Sequence, residues 1–302
     1  MTLALEITGV SKSYGDFQAV KNISTAIPAG CICGFLGPNG AGKTSTIRMI
    51  MNIVLPDTGD IKILGTSGRD NLTRVGYLPE ERGLYRKMTV REVIIFFGEL
   101  KGMSRSQCRQ EIDSWLQDFG LAEWASKKVQ DLSKGMQQKI QFITTVIHNP
   151  DLLILDEPFS GMDPVNTEMM IKTILRLKQE GKTILFSTHI MEQAEKICDI
   201  IVLINKGEII LDGKLADVKE KYGRNTVRLQ LGNGDFDWSN MDYIASVQDK
   251  GEEVLVMLRE GAQPQQLLKD LVGRCEVLKF TAGAPPLHDI FINLVGGEDA
   301  GV

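Results

Sequence analysis

Residues 34–46 read GFLGPNGAGKTST, four glycines and one lysine between an apolar run and a run with helical spacing. The preceding CICGFLG is short, apolar and led by the turn-like Pro28–Gly30, which predicts a buried strand. From Lys43 the run KTSTIRMIMNIV predicts a helix to Val54, with Ile47, Ile50 and Met51 on one face. Between them GPNGAGKT fits the pattern G-x-x-x-x-G-K-[ST]. Glycine permits a tight wrap and lets backbone N–H groups come close to an anion. The helix start adds further N–H groups and a partial positive charge. Gly37, Pro38, Asn39, Gly40, Ala41 and Gly42 then form a phosphate cradle that runs on through Ser45. Lys43 reaches the β- and γ-phosphates, and the Thr44 hydroxyl binds Mg²⁺. The stretch reads as a cradle for a nucleoside triphosphate.

A second stretch supplies acid. Within PDLLILDEPFSGMDP, Pro150–Pro164, the run LLIL lacks alternation and suits a parallel strand covered on both faces. Asp156 and Glu157 follow at the carboxyl end of that strand, where open α/β sheets collect ligands. Asp156 is placed to hold Mg²⁺ through a water. Glu157 either accepts a proton from an attacking water or holds that water in line with the γ-phosphorus. A third strand, TILFSTH, ends in Ser187, Thr188 and His189. The His189 imidazole has three readings: a hydrogen bond to the γ-phosphate, a partner that orients Glu157, or a cap on the helix IMEQAEKI that follows. His148 and His288 lack such company and read as structural.

Composition narrows the class. The chain has 302 residues, room for two domains, and 43% apolar residues, enough for a large core. A net charge of −5 gives no general attraction to nucleic acid. No apolar run reaches the roughly 20 residues of a membrane span. The start, MTLALEITGV, carries Glu6 early and has no basic flank, so it does not read as a signal peptide. These features lead us to expect a soluble, cytoplasmic chain. Five cysteines, an odd number, suit a reducing compartment; Cys31 and Cys33 share one strand face and read as small buried residues.

Between the two site stretches lies DLSKGMQQKIQFITTVIHNP, Asp131–Pro150. Ser133 is a good N-cap, and Ile140, Ile143, Thr144 and Ile147 follow helical spacing. A serine hydroxyl, Gly135 and the free N–H groups of a helix start make a second anion site.

The order GPNGAGKT, LSKGMQQ, LLILDEP, STH resembles the ATP-binding subunit of an ABC transporter, over roughly residues 3 to 215. LSKGMQQ is similar to that family's signature, SGMD at Ser160–Asp163 to the loop after its catalytic glutamate, and His189 to its switch histidine. Tyr14 resembles the aromatic that stacks on adenine. The resemblance implies an ATPase with a P-loop core of ABC type, α/β in class. It implies that two subunits dock head to tail as an ATP-bound homodimer. Ser133, Gly135 and Gln137 of one then complete the partner's ATP site. It implies integral membrane permease subunits as partners and a location at the cytoplasmic face of the membrane.

Two positions depart from the family. Lys134 stands for the usual glycine of the signature. In GYLPEERGLYRKMTV, Gly76–Val90, Glu80 stands for the usual glutamine, with Arg82 close enough in sequence to offset its charge. Glu80 is expected to take the glutamine's part at Mg²⁺ and water. YLPEERGLY with LSKGMQQ resembles the branch of sodium-efflux ATPases and related two-component exporters. Catalytic parts then fall to Lys43, Glu80, Glu157 and His189, and Mg²⁺ to Thr44, Glu80 and Asp156.

The ATP-binding domain is expected over 1–215, with a helical subdomain near 80–150 that includes a helix over TVREVIIFFGELKGMS. Leu84, Tyr85, Arg86 and Lys87, near Glu80 to Lys101, read equally as a permease-docking surface and as a solvated loop. NKGE, after Ile201, reads as a hairpin turn, and LADVKEKYG as a helical connector. Over 216–302, TVRLQL, YIASVQD, EVLVMLRE and EVLKFTAG read as strands, QPQQLLKDLV and PPLHDIFINLV as helices. Two or three strands with the two helices suffice for a small accessory α+β domain; GGEDAGV reads as a frayed tail. Two other classes share the motifs: a soluble ABC-type ATPase acting on ribosomes or DNA, and an ATP-binding regulator that seldom hydrolyses.

Overall fold

The computed structural model describes residues 2–296 except 68, 69, 82, 224, 233–235, 250 and 252. Arg82 and most of GGEDAGV lie outside the described residues. Two compact units are present, Met1–Gly213 and Lys214–Val302.

The first unit begins with two long strands, β1 (Leu3–Tyr14) and β2 (Phe17–Pro28), paired antiparallel. With β4 (Thr58–Ile63) and β5 (Thr66–Ser67) they form a sheet in the order β2-β1-β4-β5. A six-stranded sheet carries the nucleotide motifs. Its strands are β3 (Ile32–Leu36), β6 (Val75–Leu78), β7 (Leu152–Asp156), β8 (Thr183–Thr188), β9 (Ile200–Asn205) and β10 (Glu208–Lys214). Their order is β10-β9-β3-β8-β7-β6, and the pairs from β9 to β6 are parallel. Every residue of β3, β7 and β8 is buried, as continuous apolar strands covered on both faces require. The NKGE turn joins β9 to β10 with Lys206 and Gly207 both at positive φ, the geometry of a tight two-residue hairpin.

Helix α1 (Lys43–Ile50) follows β3 and shares a core with both sheets, including Ile47, Ile50, Phe35, Ile154 and Leu5. It is shorter than the run to Val54 suggests. Asn52 takes φ 53°, a left-handed backbone that asparagine tolerates, and the helix stops before it. Helices α2 (Val90–Leu100), α3 (Arg105–Asp118) and α4 (Lys134–Val146) pack together, with α4 also against β6. Thr89 and Glu92 close a capping box on α2. That helix ends at Leu100, and Gly102 at φ 92° keeps the KGMS of the sequence reading outside it. Helices α5 (Pro164–Gln179) and α6 (Met191–Ile197) follow β7 and β8.

The second unit holds α7 (Leu215–Gly223) and an antiparallel sheet of four strands. These are β11 (Thr226–Leu231), β12 (Ile244–Asp249), β13 (Val254–Leu258) and β14 (Val277–Ala282), in the order β12-β13-β11-β14. Helix α8 (Pro264–Val272) buries Leu267 and Leu271 in a core with Val227, Leu229 and Val256, and α9 (Leu287–Gly296) follows β14. All four expected strands join one sheet, where two or three would have sufficed.

The ring of His148, beyond the end of α4, places Nε2 3.3 Å from the Val75 carbonyl, while its Nδ1 is buried without a partner among the described residues. Burial, then Lys101, pushes its pKa down to about 4. Unfolded, an imidazole titrates near 6.5. The unfolded chain therefore binds the extra proton first, and stability drains away as pH falls from about 6.5 toward about 4. Melting temperature measured across that window is expected to fall less steeply in His148→Leu than in the parent chain.

Candidate nucleotide site

The loop after β3 turns on glycines that nothing else can replace. Gly37 sits at φ 151°, and a Cβ there would lie 2.1 Å from the Ile204 carbonyl oxygen. Gly42 sits at φ 107°, and a Cβ there would lie 2.5 Å from the Ala19 carbonyl oxygen. The backbone thus passes close to β9 and β2 before α1 opens with its first N–H groups free. Lys43, 6% exposed, donates from Nζ to the carbonyls of Gly37 at 2.7 Å and Pro38 at 3.1 Å. Its Nζ lies 3.9 Å from Glu157 Oε1.

The acidic pair closes the opposite wall. Asp156 is the last residue of β7 and 1% exposed. Its Oδ1 accepts from Ser187 Oγ at 2.5 Å and faces Thr44 Oγ1 at 3.4 Å. Burial raises its pKa, and the hydrogen bonds from Ser187 and Thr44 oppose that rise. Its Oδ2 is buried with no partner among the described residues. Glu157 is also buried and takes φ 48°, a strained backbone costing about 1–3 kcal/mol. Its N–H donates to Ser187 Oγ at 3.1 Å, which helps hold that turn. His189, just past β8, meets Glu157 Oε1 with Nδ1 at 2.9 Å. Of the readings open for His189, contact with Glu157 is the one this geometry supplies. The N-cap position of α6 is Ile190, and the nearby side chain that accepts a backbone N–H there is Thr188, not His189.

A cleft of about 360 Å³ is lined by Tyr14, Phe17, Asn39, Gly40, Gly42, Lys43, Thr44, Ser45, Glu80 and Glu157. Tyr14 and Phe17 are directly paired across the β1–β2 hairpin, and both rings are exposed. Lys12 Nζ stands 5.8 Å from the Tyr14 ring centroid. Phe17 escaped the sequence reading. Its signal was the YGDF hairpin, two aromatics flanking a glycine turn. Ser187, given no part from sequence, touches both acidic residues.

Residues of the signature run stand apart from this cleft. Ser133 is the N-cap of α4 and accepts from the Met136 N–H at 3.2 Å. Ser133 and Lys134 are exposed, and Gly135 is half-buried. Gln137 spends its amide on the Val129 and Leu132 carbonyls, at 3.3 and 3.0 Å. Asp163, in SGMD, caps α5 by accepting from the Asn166 N–H.

Two buried carboxylates face one buried ammonium, whose own pKa burial lowers while Glu157, Asp156 and Glu80 oppose that shift. Among the described residues the balance is negative before any phosphate arrives. A divalent cation with oxygen ligands suits it: a hard hydroxyl and carboxylate set, with Asp156 Oδ2 still unpartnered.

A glycine-lined loop opening a helix, a buried lysine, and a carboxylate pair at the end of the adjacent buried strand define a nucleoside-triphosphate hydrolase of the P-loop class. Residues 20–160 match the family described as ABC transporter, and residues 213–295 the family described as ATP-binding protein DrrA1-3-like, C-terminal domain. YhaQ of Bacillus subtilis (strain 168), an uncharacterized ABC transporter ATP-binding protein, is 40% identical over 97% of this chain and 98% of its own. Nod factor export ATP-binding protein I of Rhizobium meliloti (strain 1021) is 35% identical over 98% of this chain and 89% of its own. The solved structure of an ATP-binding subunit of an ABC transporter aligns with a TM-score of 0.68 and 30% identity, covering 72% of this chain and 93% of that one. The chain belongs to the ABC transporter ATP-binding family; it binds ATP and hydrolyses it to power transport. Such subunits work with membrane permease components. Among the described residues no helix is long and apolar enough to cross a membrane.

Ser187→Ala removes the donor to Asp156 and the acceptor for the Glu157 N–H together. Steady-state ATPase activity is expected to fall by about 10- to 100-fold. Equilibrium binding of ATP in EDTA, read by a fluorescent analogue, should stay within about twofold of the parent, because the P-loop is untouched.

Proposed function

We propose that two copies of this chain dock head to tail around two ATP molecules and that their opening and closing drives export through a separate permease. The observation that carries the reading is a mismatch within one chain. The P-loop cleft is lined by residues of the β1–β2 hairpin, the P-loop and the two acidic loops, and Ser133 and Gly135 are not among them. A second anion-binding device, the exposed start of α4, therefore has no phosphate of its own. A two-fold pair brings that start to the partner's γ-phosphate and satisfies both copies at once. The Ser133 hydroxyl already accepts from Met136, which leaves its hydrogen to donate outward.

Within the paired site Glu157 takes the proton of the attacking water, and His189 Nδ1 holds the carboxylate in place. Lys43 and the loop amides stabilise the charge on the phosphates. Thr44, Asp156 and Glu80 would hold Mg²⁺, which supplies neutralising charge to the triphosphate when bound. Tyr14, with Phe17 beside it, offers the adenine a ring face. The expected division is an ATP-binding domain at 1–215, with helical subdomain near 80–150, and an accessory domain at 216–302. Leu84–Lys87 form the surface offered to the permease, and the subunit sits peripherally at the cytoplasmic face. Export is favoured over import by the Nod factor export relative and by the YLPEERGLY and LSKGMQQ variants. No residue of the nucleotide cleft is a candidate for cargo contact, so the choice between an ion such as sodium and an organic cargo falls to the permease.

Glu157→Gln keeps the side chain's shape and removes the base. Turnover is expected to fall by about 10³-fold while ATP binding persists and dimers accumulate. Light scattering with ATP reads the dimer. A parent chain that stays monomeric during turnover and works at full rate whatever its dilution would sink the scheme. Isolation from membranes together with a multi-span protein tests the permease.

A further inference from the structure

Helix α4 begins at the exposed signature residues and runs into the core beneath this chain's own catalytic loops. Three of its side chains lie at positions i, i+3 and i+7, one stripe of the helix. Gln138 donates from Nε2 to the Pro158 carbonyl at 3.2 Å, one residue beyond Glu157. Gln141 donates from Nε2 to the carbonyls of Pro79 and Glu81, both at 3.2 Å, on either side of Glu80. Thr145 Oγ1 lies 3.3 Å from the Tyr77 carbonyl, on the strand that leads into that loop.

Both glutamines are almost wholly buried. Among the described residues Gln141 Oε1 has no hydrogen-bond partner. Burying a primary amide with one end unsatisfied is unfavourable, and an apolar residue of similar size would fill the space at less cost. What the amides add is fixed placement of two loops. From the Ser133 cap to Gln141 the chain rises eight residue steps, about 12 Å of rigid backbone.

We infer that Gln138 and Gln141 are positioning residues that join the start of α4 to the loops carrying Glu157 and Glu80. The inference rests on the head-to-tail reading above. When the partner's phosphate seats at the start of α4, the helix settles, and the two tethers carry that placement to this chain's own nucleotide. Each site is then completed directly by the partner's α4 and indirectly by its own. Seating ATP in one site favours the geometry of the other, so turnover depends cooperatively on ATP.

The test uses the full chain and two single variants, Gln138→Met and Gln141→Met, with Glu157→Gln as reference. In the parent chain the Hill coefficient for ATP is expected to exceed one, with a ceiling of two set by the two sites. Each Met variant is expected to lose about 30-fold in kcat, because a small displacement of a catalytic group is costly. In each, affinity for a fluorescent ATP analogue holds and the Hill coefficient drops to one. Added to either Met variant, Glu157→Gln should still give ATP-dependent dimers. If Glu157→Gln alone forms no dimers, the head-to-tail reading and this inference fall together. If it forms dimers and the Met variants keep the parent's kcat and Hill coefficient, the inference alone falls. A Met variant that loses melting temperature and ATP affinity with an unchanged Hill coefficient also overturns it. Should both Met variants fail to fold, the parent chain decides: a Hill coefficient of one, with dimers present, rejects the link.

Discussion

Asp156 and Glu157 put two carboxylates into nearly dry surroundings on consecutive residues, against a single buried ammonium. Taking a carboxylate out of water costs several kcal/mol unless partners repay it. The surrounding architecture can be understood as that repayment. The parallel pairing of β7 with β8 sets Asp156 opposite Ser187, whose one hydroxyl serves both acidic residues. β3, on the other side of β8, launches the loop that delivers Lys43. His189 emerges at the end of β8 and engages Glu157. Among the described residues the residual imbalance is negative, which is an electrostatic reason for a cation to accompany the nucleotide.

Sequence made the centre of this arrangement readable because its chemistry is contiguous. GPNGAGKT, LLILDE and the cap at Ser133 each carry their meaning within a few residues, and each sits on the expected element. The rim was less readable. β1 and β2 contain several register shifts, which scramble the period-two pattern and hid both strands and Phe17. Helix ends were overrun at Asn52 and Gly102, where a left-handed backbone stops a pattern that hydrophobicity alone would continue. Sheet order is invisible to local pattern; nothing in β3 announces that β8 and β9 flank it.

The run Gln137–Gln138 makes the same point at the scale of one residue. Side by side in sequence, the two amides leave the helix about 100° apart. Gln137 braces the loop just before its own helix, whereas Gln138 crosses to the carbonyl after Glu157. Composition assigns both the same properties. Only the packing of α4 against β6 and the loops around it distinguishes them, and that packing is a long-range fact.

Among the described residues one hydrophobic core gathers around Phe35 and Ile154, and another around Val227 and Leu267. A substitution inside the core around Val227 and Leu267 falls among side chains that include none of those lining the nucleotide cleft. Repacking that core alters positions far along the sequence from the residues that handle phosphate.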